Sequence, residues 1–321
     1  MPYTSTATIP AEVSAFYDRN LLFRAVALFV HLNWAQVRDL PMNSGTSTIK
    51  FRRYGNLAAA TTPLSEGVTP SGSSLSVTDI TATVLQYGDY TTITDVLDYS
   101  SQDPILTESG EILGDQAGDT LDQLTRDVLN AGTVVARVNG RASRGAVVAG
   151  DVLVAANFNT ALTALKVAKA RKHTMMMDAS TGINTTPINA GYIAIVHPEL
   201  TQAIKGFNGF VAVEKYASNK NIMEGEIGYY NDIRFIETTN AKVFAGEGGS
   251  SIDVYSVIIF GQHAYGITRI NGKSMQNIIK PLGSGGTSDP LNQRATSGWK
   301  ATFVAKILND NFLYRIECAK V

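Results

Sequence analysis

The sequence predicts an α+β fold in which a projecting β-hairpin and one long acidic helix precede a mixed domain and a closing pair of strands. Three stretches carry that expectation. Residues 46–96 alternate in polarity around a Gly-, Pro-, Ser- and Thr-rich centre, residues 104–131 repeat apolar side chains at helical spacing, and beyond them short apolar runs alternate with Gly and Asn turns.

Residues 1–10 (MPYTSTATIP) are small and polar and read as a flexible arm. Residues 13–38 then place Phe16, Leu21, Leu22, Ala25, Leu28, Phe29, Leu32 and Val37 at roughly helical spacing, so residues 1–45 are expected to be an arm carrying an amphipathic helix. From Ser47 to Tyr54, Ile49 and Phe51 alternate with Lys50 and Arg52, which is a strand signal. The segment 55–76 is turn-like, and residues 77–96 return as one long Thr-rich and β-branched strand. The whole of 46–96 is expected to form an extended loop, a long hairpin with a wide tip. A two-stranded ribbon is marginal alone in water, so it should lean on a neighbouring subunit.

Residues 104–131 open with proline and set Leu113, Ala117, Leu121, Leu124 and Val128 at steps of four, four, three and four. Between Tyr87 and Asp127 there are ten acidic residues against one basic, Arg126, so the outer face of this helix should be strongly negative. A second helix is predicted at about 157–171, with Leu162, Leu165 and Ala168 inward. The runs Tyr192 to Val196 and Val254 to Phe260 read as strands, with a short helix after Pro198. The last segment, Trp299 to Cys318, reads as two strands joined by a turn at Asn309, Asp310 and Asn311.

With 321 residues, 44% of them hydrophobic, the chain can bury a substantial core. The net charge of −1 hides an asymmetry: residues 1–160 carry 10 basic and 16 acidic side chains, leaving 17 and 12 for the rest. Such a split fits complementary faces between copies, and equally an ordinary patchy surface. A single cysteine, Cys318, excludes an intrachain disulfide and a multi-cysteine zinc site, and suits a reducing cytoplasm. No run approaches the ~20 apolar residues of a membrane span. A soluble protein without a membrane partner is expected.

Chemistry-bearing patterns are sparse. Gly266 to Ser274 (GITRINGKS) ends like a phosphate loop, but five residues separate its glycines where four are needed, and Pro281 cuts short the helix that should follow. A turn is the better reading. His31, His173, His197 and His263 are far apart in sequence and read as surface or helix-end residues, with His197 marking the exit of a strand. Cys318 reads as a small buried hydrophobe, and no serine stands in a nucleophile elbow. The helical carboxylates are spread along a face instead of converging in a cleft. No catalytic residue, cofactor or metal is expected, and contact with nucleic acid should be independent of sequence.

The order of parts resembles the Hong Kong 97-type coat-protein fold of tailed phages. The stretches IKFRRYGNLAAATTPLSEGVTPSG (49–72), QYGDYTTITD (86–95), ILGDQAGDTLDQLTRDVLNAGT (112–133), VEKYA (213–217), ETTNAKVFAG (237–246) and DPLNQRATSGWKATFVAKILNDNFLYRIE (289–317) look like the phage major capsid family related to the coat protein of coliphage N-four. The resemblance implies an N-terminal arm at 1–45, an extended loop at 46–96, a spine helix of the peripheral domain at 97–140, an axial domain at 141–270 and a return to the peripheral domain at 271–321. It also implies self-assembly as hexamers and pentamers into an icosahedral shell around double-stranded DNA. Portal, separate scaffolding and decoration proteins are the implied partners, and the virion, reached through assembly in the host cytoplasm, is the implied location. Crosslinking members of that fold use a lysine on the extended loop, but no lysine occurs between Lys50 and Lys166, so noncovalent contacts are expected. An encapsulin-like nanocompartment shell is the alternative, and an enzyme the third reading.

Candidate contacts between subunits follow from charge. Arg52 and Arg53, with Tyr54 beside them at the hairpin, are expected to meet acidic residues of a neighbour's long helix, among them Asp115, Asp119 and Asp122. That these arginines are simply solvated stays open. Exposed pairs contribute only ~0 to 1 kcal/mol each, so repetition in a closed lattice would have to supply the strength.

Overall fold

Alternation, helical period and long-range strand pairing each decide a different part of this chain. The computed structural model describes residues 30–43, 45–100, 105–174, 188–216, 222–271, 274–286 and 289–320, except the side chains of 99 and 100. Most of the amphipathic helix expected at 13–38 lies outside the described residues. Its last part is a strand, β1 (Gln36–Leu40), which runs parallel to Gly266–Ile270 with Asp39 and Arg269 paired at 3.0 Å. Pairing with an otherwise open sheet edge overrides the helical spacing there.

The hairpin is built from β2 (Thr48–Tyr54) and β3 (Val77–Thr83), which pair antiparallel from Thr48↔Thr83 to Tyr54↔Val77. Its inner face carries Ile49, Phe51, Ile80 and the buried Ala82. The single long strand expected over 77–96 is broken at Val84, which is buried and donates its N–H to Ser47 O. The chain beyond, β4 (Leu85–Thr94), leaves the hairpin and joins another sheet. A short helix α1 (Asp95–Ser100) follows, then α2 (Ile105–Asn130), the long acidic helix.

After β5 (Val135–Arg137) comes α3 (Ala155–Val167), then β6 (Tyr192–Val196), the short helix α4 (Thr201–Lys205) and β7 (Val211–Ala212). The chain continues through β8 (Glu226–Tyr230), β9 (Ile233–Glu237), β10 (Val243–Phe244) and β11 (Val254–Phe260). It finishes with β12 (Tyr265–Ile270), β13 (Met275–Lys280), β14 (Arg294–Ile307) and β15 (Leu313–Cys318). Strand β12 is followed by strand β13 where a phosphate loop would need a helix.

Two sheets divide the body. The five-stranded sheet is organised on the 14-residue β14, which pairs with β4, β12 and β13, while β1 extends β12. Ala295, Trp299, Ala301, Phe303 and Ala305 of β14 share one face by the two-residue period of a strand, and Leu113, Ala117 and Leu121 of α2 pack on it. Gly110, Gly114 and Gly118 also lie on the buried side of α2, and Ala117 is fully buried.

The second sheet has eight strands in the order β5-β15-β11-β6-β9-β8-β7, with β10 beside β11. Strands β6 and β11 are buried along their whole length, which is why they read as unbroken apolar runs. One face receives Phe158, Leu162 and Leu165 of α3, with Phe158 edge-on to Phe235 at 5.1 Å. The other receives Leu129 from the end of α2, so that helix spans both sheets.

The topology separates the two closing strands. The closing strands β14 and β15 are not partners: the turn Asp310–Phe312 passes the chain from the five-stranded to the eight-stranded sheet, where β15 lies between β11 and β5. Consequently β12, inside the span 141–270, belongs to the sheet of β14, and β15, inside 271–321, belongs to the sheet of β6 and β11.

Candidate functional site

The six residues singled out by charge fall into two groups, and the structure brings neither group onto the other within one chain. Arg52 stands directly opposite Asp79 in the hairpin, and its Nε donates to Asp79 Oδ1 at 3.0 Å. That carboxylate holds the Arg52 guanidinium above its ordinary pKa. Arg53 and Tyr54 occupy the outer end of β2; both are exposed, and Arg53 has no ion pair among the described residues. Below them lies a cleft of about 490 Å³ between hairpin and body, lined by Arg38, Arg53, Phe51, His263 and Phe312.

On α2 the acidic residues divide by helical position. Asp115 is half-buried. Asp119 is half-buried and already accepts from Gln123 Nε2 at 2.6 Å and Asn240 Nδ2 at 2.7 Å. Asp122 is wholly buried, and its carboxylate accepts from the His31 N–H at 2.7 Å and from Asn240 Nδ2 at 3.2 Å, with His31 Nδ1 2.8 Å away. The expectation that Asp122 meets a neighbouring subunit is therefore corrected: it is spent inside its own chain, fixing the point where the N-terminal segment joins the body.

His31 is likewise corrected from a surface residue to a fully buried one, and the buried Tyr265 hydroxyl donates to its carbonyl. His173 is half-buried against Phe260, ring centroids 5.5 Å apart, and burial pushes it down to about 4. His197 caps the turn after β6, its Nδ1 accepting from Glu199 N–H at 3.3 Å. Cys318 is buried, and its thiol is pushed up to about 12 by desolvation.

Other charged groups knit the sheets together. Glu317, fully buried on β15, takes Arg137 at 2.8 Å and Arg144 at 2.8 Å. Glu226 and Arg234 form a buried pair with Nε to Oε1 at 2.6 Å. These pairs tie strands to their neighbours. Among the described residues no three His, Cys, Asp or Glu side chains converge as metal ligands, and no helix is long and apolar enough to cross a membrane.

What the sequence reading missed is the character of β4. It is a ten-residue strand, exposed at eight positions, and one of its edges carries no partner strand among the described residues.

Comparison with solved structures places this architecture. The capsid protein of Ralstonia phage GP4 superposes with a TM-score of 0.70 at 12% identity, covering 89% of this chain and 87% of that one. The capsid protein of cyanophage Pam1 gives 0.62 at 12% identity over 88% and 90%. The SrpI encapsulin of Synechococcus elongatus is also similar, at 0.53 and 7% identity over 89% and 85%. No curated protein sequence matches. These likenesses show the Hong Kong 97-type fold; membership is shown by the phage capsid protein family model, which matches residues 77–316. The chain belongs to the phage capsid protein family.

Proposed function

We propose that this chain is the major capsid subunit of a tailed phage, assembling as hexamers and pentamers into an icosahedral shell that encloses double-stranded DNA and acting without catalysis. The observation that carries the reading is the hairpin β2–β3. Among the described residues it pairs with no other strand, its inner apolar face is small, and Leu57, Leu64, Val68 and Leu75 at its tip are 52 to 78% exposed. A ribbon of this kind gains stability by lying on another molecule.

Arg53 and Tyr54 are the contact candidates that suit such a neighbour; Arg52 already has Asp79. The division we favour keeps the arm at 1–45 and the spine helix within 97–140, and shortens the extended loop from 46–96 to 46–84. It assigns β4, β12, β13 and β14 with that helix to the peripheral domain, and β5 to β11 with β15 to the axial domain. Assembly in the host cytoplasm with portal, scaffolding and decoration proteins, and a final place in the virion, belong to the same proposal.

An encapsulin-like shell is the second reading, favoured by the likeness to the SrpI encapsulin. Purified particles decide between them. Nuclease-protected double-stranded DNA inside particles made during infection supports the phage shell, whereas an enclosed enzyme with no nucleic acid overturns it.

A further inference from the structure

Asparagine followed by glycine occurs three times in the chain, at 139–140, 208–209 and 271–272. The pair carries its own chemistry, because a glycine nitrogen, with no Cβ beside it, can reach the carboxamide carbon of the residue before it. Gly272 lies outside the described residues, which leaves two pairs to compare. They sit in different surroundings.

Asn208 and Gly209 form the tip of the turn between α4 and β7. The Phe210 N–H donates to Phe207 O at 3.0 Å across them, and of the two central residues only Gly209 has positive φ, +91°, the arrangement of a type II turn. Both flanking residues are anchored: the Phe207 ring stands 5.6 Å from Phe158 and 5.6 Å from Tyr230, and Phe210 lies 6.4 Å from Phe235. The tip between them is open. Asn208 and Gly209 are exposed, and among the described residues neither the Asn208 carboxamide nor the Gly209 N–H has a hydrogen-bond partner. A Cβ built on Gly209 would meet only Tyr230 Cε2, at 4.0 Å, so the space around the glycine is free.

Asn139 is held. Its Nδ2 donates to Asp151 Oδ1 at 2.7 Å, and the same carboxylate, 1% exposed, accepts from Arg141 Nε at 2.7 Å and Nη2 at 3.1 Å. A carboxamide tied to a buried, doubly bonded acceptor resists the rotation that ring closure on the Gly140 nitrogen requires. The fold therefore protects one pair and leaves the other open.

We propose that Asn208 is a site of spontaneous modification, at which the side-chain amide is lost and aspartate and isoaspartate form with water as the only co-reactant. The Gly209 nitrogen loses its proton to solvent and bonds to Asn208 Cγ; the Cγ–Nδ2 bond breaks, and Nδ2 leaves as ammonia with a proton returned from solvent. The product is a cyclic succinimide. Water then adds to one of its carbonyl carbons and breaks that carbon's bond to the ring nitrogen. Cleavage at Cγ leaves aspartate, and cleavage at the main-chain carbon leaves isoaspartate, with the chain running through Cγ. No oxidant or reductant is required. Either product sets a carboxylate in the turn, and isoaspartate lengthens the main chain just before β7, the edge strand of the eight-stranded sheet. The inference is independent of the assembly reading above.

The test incubates the unassembled full-length subunit in mildly alkaline buffer, beside an identical sample held unfolded in urea, and maps the peptides of both by mass spectrometry with fragmentation that tells isoaspartate from aspartate. In the folded subunit, conversion at Asn208 is expected to outpace that at Asn139 by at least about tenfold, and in urea the two should agree within about threefold. Aspartate and isoaspartate should appear together at Asn208. Asn208→Gln, a change at an exposed position, should remove both products from that peptide with an unchanged Tm. Equal conversion of the two residues in the folded subunit, or none at Asn208 while the unfolded chain converts, would overturn the proposal, as would the same preference persisting in urea. Aspartate without isoaspartate would overturn the succinimide route and with it the role of Gly209.

Discussion

His31 and Asp122, 91 residues apart, meet in the core through both the backbone N–H of His31 at 2.7 Å and its ring Nδ1 at 2.8 Å. The pair joins the start of the described chain to the long helix, and Asn240 satisfies a further lone pair of the carboxylate at 3.2 Å. Asp122→Ala would strand several buried polar groups, so it is expected to cost about 3 kcal/mol. Denaturant unfolding measures that loss, and limited proteolysis should show faster cleavage near residue 30.

Contact between α2 and β14 depends on small side chains. Ala117 is fully buried beneath the helix, facing the row of Trp299, Ala301 and Phe303. Ala117→Leu is expected to destabilise by about 1 to 3 kcal/mol through overpacking, read as a lower midpoint at unchanged denaturant slope.

The outer end of the hairpin should matter to assembly and hardly at all to the subunit. Arg53→Glu with Tyr54→Ser changes two exposed residues, so subunit stability is expected to move by less than about 0.5 kcal/mol. Shell yield, followed by sedimentation, should fall. Normal yield and salt tolerance would remove these residues from the contact.

Burial holds the His173 ring at about 4 in the folded chain, against 6.5 for the free side chain. Between those values the unfolded chain binds the extra proton, so stability should decline as pH falls from about 6.5 to about 4, by up to roughly 3 kcal/mol. His173→Phe keeps the ring contact with Phe260 and is expected to flatten that part of the profile, measured as ΔG of unfolding of the unassembled subunit at a series of pH values.

Elements whose signal is local were legible in the sequence. Helix α2 was visible because its burial follows the 3.6-residue period, and β6 and β11 because both of their faces are buried. Pairing partners were not legible, since they are set by the whole chain: β15 follows β14 after a short turn yet pairs with β11, and β4 follows the hairpin yet pairs with β14. Asp122 was assigned to the acidic outer face because charge was weighed before position. Its spacing from Gly118, Thr125 and Leu129, steps of four, three and four, marks a second buried stripe that could have identified it. Nothing in the sequence points from Asp122 to His31.

The measurement that tests the central claim most directly is a cryo-electron-microscopy reconstruction of the protein assembled alone or with its neighbouring phage gene products. Closed shells of uniform diameter are expected, with the hairpin of each subunit lying across another subunit. A persistent monomer, or a hairpin folded back on its own chain, would contradict the account.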